Sequence, residues 1–273
     1  MSDKYTKKKK CQIVNNLSLL RMKKNYTIKN LIVDSQLWVS LMGTIFSVFF
    51  MLAHSAFLWP TTLLIFLTFL SGYLYTKYQN LSRFQKTIFI FYIVSFFVCA
   101  YLIIANHHSE RLFKWLIIVL LGIFYNSSFL DFCARKIPLL KAFYVGFTWA
   151  LVSGWLFFEN LNFPYFSIAF LFISALVIVF DIRDYKNDTV LTFPELIGEQ
   201  KTKYLAYTLI FISSILASYY LPQEYALSYY LTTVPTFLLI HLSNNTRNDI
   251  FYSFYLESCV GLPFLFLVLL KYF

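Results

Sequence analysis

The sequence predicts an all-α polytopic membrane protein of about nine transmembrane helices, with its N-terminus on the cytoplasmic side. Three observations lead there: an apolar, aromatic composition, recurring apolar runs of spanning length, and basic residues confined to alternate connections. Of 273 residues, 59% are hydrophobic and 21% aromatic, while 13% are charged; soluble domains carry about 25% charged residues. The 32 Phe and 21 Tyr exceed what one soluble core of this size would bury. Lipid accepts such surface without the penalty that water imposes.

Residues 1–34 form a basic leader containing Lys7 to Lys10, Arg21, Lys23 and Lys24. It is too long and polar for the n-region of a cleavable signal. It is either a solvated tail or a segment drawn to anionic lipid headgroups, where each basic residue contributes about 1 kcal/mol. Residues 35–273 form the transmembrane domain. Its apolar runs are 36–53, 57–75, 87–105, 112–130, 139–158, 165–180, 204–221, 226–241 and 250–270. Runs of roughly 17 to 25 residues match the hydrocarbon thickness of a bilayer. Each is expected to be helical, because an unpaired backbone amide in lipid costs several kcal/mol.

Charge placement tests that count. With the N-terminus inside, only Arg111, Lys114 and Lys271 of the 23 basic residues fall outside. This is the positive-inside pattern, and one miscounted span would destroy it. The net charge of +10 is therefore an orientation signal capping apolar segments, and a nucleic-acid partner is not expected. Cys11, Cys99, Cys133 and Cys259 show no metal-ligand spacing and are expected as free thiols. The localisation this predicts is multi-pass in the cytoplasmic membrane. The inner connections are the longer ones, so any chemistry belongs on the cytoplasmic face.

The longest connection, 181–203, holds five of the 13 acidic residues. It opens with Asp181-Ile182-Arg183-Asp184-Tyr185-Lys186-Asn187-Asp188, whose carboxylates recur at i, i+3 and i+7 on one helix face. Like charges so placed repel unless cations share them. Mg²⁺ prefers oxygen ligands and binds one or two carboxylates together with substrate phosphates. The plain alternative is a solvated polar cap on a helix end.

This motif, followed by Leu191-Thr192-Phe193-Pro194-Glu195-Leu196-Ile197-Gly198, resembles the second aspartate-rich motif of UbiA-type prenyltransferases. Arg135-Lys136-Ile137-Pro138-Leu139-Leu140-Lys141, leading to Gly146 and Trp149, resembles the basic loop after that family's fourth helix. The resemblance implies helices around a central cavity and Mg²⁺-dependent transfer of a prenyl group. The donor is a polyprenyl pyrophosphate and the acceptor a lipophilic aromatic or quinone precursor. It assigns Mg²⁺ and catalysis to Asp181, Asp184 and Asp188. Arg135, Lys136 and Lys141 become candidates for the pyrophosphate, with Tyr125 and Asn126 adding hydrogen bonds.

The family's first acidic motif, after its second helix, has no counterpart. The chain reads Ser71-Gly72-Tyr73-Leu74-Tyr75-Thr76-Lys77-Tyr78-Gln79-Asn80 there, with no carboxylate. Lys77 and Arg83 are the candidates to contact pyrophosphate in its place. The alternative is a catalytically inactive relative that binds an isoprenoid or quinone-like lipid, or serves as a membrane scaffold. Glu257, inside the last run, is expected to face the bundle interior, paired with a basic residue or a hydroxyl, since ionisable groups in membranes are costly. His107 and His108 are expected on an outer surface, and Asp131 beside Arg135.

Overall fold

The computed structural model describes residues 35–78, 85–106, 109–126, 134–184 and 190–272. The leader, Arg83, His107, His108, Asp131, Asp188, Cys11 and Cys133 lie outside these residues. No strand occurs among the described residues, which are almost wholly helical. Helices α1 (Leu37–His54), α2 (Trp59–Tyr78), α3 (Gln85–Ala105) and α4 (Ser109–Tyr125) occupy the first four apolar runs. After a 3₁₀ turn at Ala134–Lys136 come α5 (Leu140–Gly154) and α6 (Phe163–Asp184). The short α7 (Phe193–Ile197) leads into α8 (Glu199–Tyr220) and α9 (Gln223–Leu242), and α10 (Leu262–Tyr272) follows a π-helical turn at Phe251–Leu256.

Three stretches are long and apolar enough to cross a membrane: Leu37–His54, Ile88–Ala105 and Phe163–Asp184, with mean hydropathies of 1.8, 2.7 and 2.4. Large apolar side chains cover the outer surface, among them Phe97, Tyr101, Phe113, Phe163, Phe211 and Val234. Such a surface suits lipid. Pro60 and Pro164 sit in the first turns of α2 and α6, where a missing N–H leaves no bond unmade.

Each long helix packs on the next in sequence, and α10 returns to pack on α1, so the helices form a closed circuit. The most extensive contacts are those of α6 with α5 and α8. Glycine permits the first of these. A Cβ at Gly146 would lie 2.1 Å from Ser174 Oγ, and one at Gly154 would lie 2.7 Å from the Phe166 backbone nitrogen. Hydroxyls join neighbouring helices where apolar packing alone gives no register. Ser213 Oγ donates to the Ile168 carbonyl at 2.8 Å and pairs with the Tyr229 hydroxyl at 2.7 Å. The Tyr225 hydroxyl donates to the Leu52 carbonyl at 2.9 Å, tying α9 to α1.

As the helical spacing of the aspartates predicts, α6 continues past residue 180, and Asp181 and Asp184 sit on its last turn. One element differs from the sequence expectation. The last run is not one α-helix: beyond the π-helical turn, Cys259, Val260 and Gly261 donate to carbonyls three residues back. The tightened backbone brings Gly261 against α1, where a Cβ would lie 2.7 Å from Met42 Sδ.

Candidate functional site

Three neighbouring cavities lie where α2, α4, α5, α6 and the π-helical turn converge. The central one, about 360 Å³, is polar at one side. Lys77 of α2, Lys141 of α5, and Arg183 and Asp184 of α6 line it, with Glu257 and Ser253 from the last run. An apolar chamber of about 330 Å³ adjoins it, enclosed mainly by α2, α3, α4 and α5. Tyr73, Tyr125, Val145 and Trp149 line both, forming the boundary between them. A basic cavity of about 290 Å³ lies on the other side of Lys141, lined by Asn126, Arg135, Lys136, Asp181 and Thr192 among others.

The boundary is rigidly built. Trp149 Nε1 donates to the Tyr73 hydroxyl at 3.1 Å, and the Trp149 ring packs on Phe69 at 4.6 Å between centroids. Tyr125 stacks on Tyr144, whose hydroxyl donates to the Leu121 carbonyl at 2.8 Å. On the basic side, Leu139 holds a left-handed backbone with φ 60, unfavourable for a branched side chain. Its N–H donates to the Leu191 carbonyl at 3.3 Å, joining the Arg135–Lys136 turn to the segment after the aspartate motif.

The structure brings together most of the residues expected from the sequence, though not as one metal centre. Lys77, Tyr125, Lys141 and Asp184 share the central cavity, while Asn126, Arg135, Lys136, Lys141 and Asp181 share the basic one. Asp181, nearly buried, forms an ion pair with Lys141 at 2.9 Å. Both oxygens of Asp184 are engaged by Arg183, Nε at 2.7 Å and an Nη at 3.0 Å. Among the described residues no three His, Cys, Asp or Glu side chains are placed to hold one metal ion. As arranged, Asp181 and Asp184 each meet a cationic side chain, and Asp188, the third carboxylate of the motif, lies outside the described residues.

Arg183, Tyr73 and Trp149 were not singled out by sequence as cavity residues. A signal for Tyr73 existed: it precedes Lys77 by four residues, so both occupy one face of α2. Arg111 and Lys114 belong to another part of the bundle. Lys114 Nζ donates to the carbonyls of Phe158 and Glu159 at 2.7 and 2.6 Å, and Arg111 donates to Thr61 and the Phe157 carbonyl. These two cations cap the turn after α5 and take no part in the cavities.

No protein-family model, no curated protein and no solved structure matches this chain.

Proposed function

We propose that this chain is a membrane prenyltransferase, transferring a prenyl group from a polyprenyl pyrophosphate to a lipophilic aromatic or quinone-precursor acceptor. One observation carries the reading: a cation-lined polar cavity adjoins an apolar chamber across a shared aromatic boundary. Those are the environments that the head, the reacting carbon and the tail of an allylic pyrophosphate require. In this reading the protein crosses the bilayer nine times with its N-terminus in the cytoplasm. The polar cavity then opens to the cytoplasmic side.

Lys77 and Lys141 hold the pyrophosphate as point charges, with Arg183 beside them. When the allylic C–O bond breaks, the departing group gains negative charge, and fixed cations stabilise charge where it develops. The allylic cation forms at the boundary, where the ring faces of Tyr73, Tyr125 and Trp149 offer cation–π stabilisation. The apolar chamber keeps water from that cation until the acceptor attacks.

The assay supplies purified protein in lipid nanodiscs with radiolabelled geranyl and longer prenyl pyrophosphates and a panel of phenolic and quinol acceptors. It is run with Mg²⁺, which the family resemblance calls for, and with a chelator. Prenylated product is the expected result. Its absence across the panel, with lipid binding intact, would favour a second reading: a relative that binds an isoprenoid or quinone-like lipid without turnover. That reading draws on the engagement of Asp181 and Asp184 by Lys141 and Arg183.

A further inference from the structure

Glu257 has no role in the steps above, yet it lines the central cavity. It follows directly on the π-helical turn Phe251–Leu256, and such turns shift a helix face and occur frequently at functional sites. The turn and the tightened backbone after it set this carboxylate into the cavity that Tyr73, Tyr125 and Trp149 also line. Among the described residues no hydrogen bond or ion pair engages it; the cation whose field reaches it is Arg183, already bidentate on Asp184. An acidic side chain placed deep in an apolar bundle is costly unless something polar meets it there.

The cavity contents indicate what that is. Lys77 and Lys141 line the same space and suit an anion, leaving a carboxylate with the opposite requirement, a donor. Tyr73, Tyr125 and Trp149 present aromatic surface at the entrance to the chamber. A ligand meeting both is an aromatic ring carrying a hydroxyl. We propose that Glu257 is the acceptor-binding residue, taking a hydrogen bond from the hydroxyl of a phenolic acceptor whose ring lies against Tyr73 and Trp149. This rests on the prenyl-transfer reading and adds to it the residue that orients the acceptor.

The test uses full-length protein in phosphatidylcholine nanodiscs, with radiolabelled 1-naphthol and 1-methoxynaphthalene as probes and empty nanodiscs subtracted. In the ether a methyl group replaces the hydroxyl proton, so it cannot donate a hydrogen bond. Wild-type protein is expected to bind naphthol about tenfold more tightly, the upper range of one net hydrogen bond. Glu257→Leu is expected to abolish that preference while leaving the ether's affinity unchanged. Should the Leu variant fail to fold, Glu257→Gln, which keeps a neutral acceptor, is expected to reduce the preference to about threefold. Failure of wild-type protein to prefer naphthol, an unaltered preference in the variants, or an equal loss for both probes would each overturn the proposal. Geranyl pyrophosphate binding on the same nanodiscs decides the parent reading separately. Its absence beside a clear naphthol preference would remove prenyl transfer and leave the hydroxyl site standing.

Discussion

The Lys141–Asp181 contact shows how one side chain serves two spaces. Lys141 faces both polar cavities, and its partner Asp181 has 4% of its side chain exposed. Removing one member of a buried pair leaves the other charge poorly solvated, at a cost of about 3–5 kcal/mol. Lys141→Ala should therefore lower thermal stability in detergent by roughly that amount, whereas Lys141→Met with Asp181→Leu should recover most of it. A single variant that melts like wild type would show that Asp181 does not depend on Lys141. Asp184 separates two accounts of pyrophosphate binding. If Arg183 contributes directly, Asp184→Asn frees the guanidinium and should tighten geranyl pyrophosphate binding by about 0.5–1 kcal/mol, the scale of one net hydrogen bond. If Asp184 is a metal ligand, the same change weakens Mg²⁺-dependent binding, and equilibrium titration with and without the ion tells the two apart.

At the scale of elements, the α5–α6 contact sets the site, because α5 carries Lys141, Val145 and Trp149 while α6 carries Asp181, Arg183 and Asp184. Gly146 lies at its closest approach. Gly146→Ala should destabilise the bundle by about 1–3 kcal/mol, the usual cost of overpacking, read as a shift in thermal melting. Adding Ser174→Ala should recover only part, since the Phe170 carbonyl still lies 3.0 Å from the new methyl. The positions of most helices could be read from the sequence, because an apolar run of spanning length has few structural outcomes. Several residues singled out by sequence do line the cavities, Lys77, Arg135, Lys141, Asp181 and Asp184 among them, although a carboxylate repeat at a helix end also has a plain explanation as a solvated cap. What could not be read was which carboxylate meets which cation, because Lys141 and Asp181 are far apart in sequence and meet only through α5–α6 packing. The break at Cys259–Gly261 does carry a local mark, Pro263, which has no N–H to donate to the Cys259 carbonyl, but the apolar run around it masks that mark.

For the whole molecule, the closed circuit of helices sorts charge between two ends. Lys203 pairs with Glu199 and donates to the His241 carbonyl, so the start of α8 and the end of α9 lie together. Glu224 and Lys271 approach within 3.9 Å at the opposite ends of α9 and α10. A membrane-impermeant maleimide should therefore label a cysteine at Lys201 or Arg247 from one side of the membrane and a cysteine at Glu224 from the other. Cys99 and Cys259 are buried, and replacing Cys11 and Cys133 by Ser completes a quiet background. Labelling of Lys201 and Glu224 positions from the same side would contradict the nine-span reading.

Helix α3 adds a consequence at this scale. It supplies Tyr92, Ser95, Phe96 and Cys99 to the apolar chamber, yet only 22% of its stretch Ile88–Ala105 is buried by protein. In a bilayer, acyl chains complete its packing from outside. On the prenyl-transfer reading, a greasy substrate dissolved in the leaflet needs no aqueous passage, because lipid rather than protein closes this side of the chamber. Membrane thickness and fluidity would then set how readily dissolved isoprenoid exchanges with the interior.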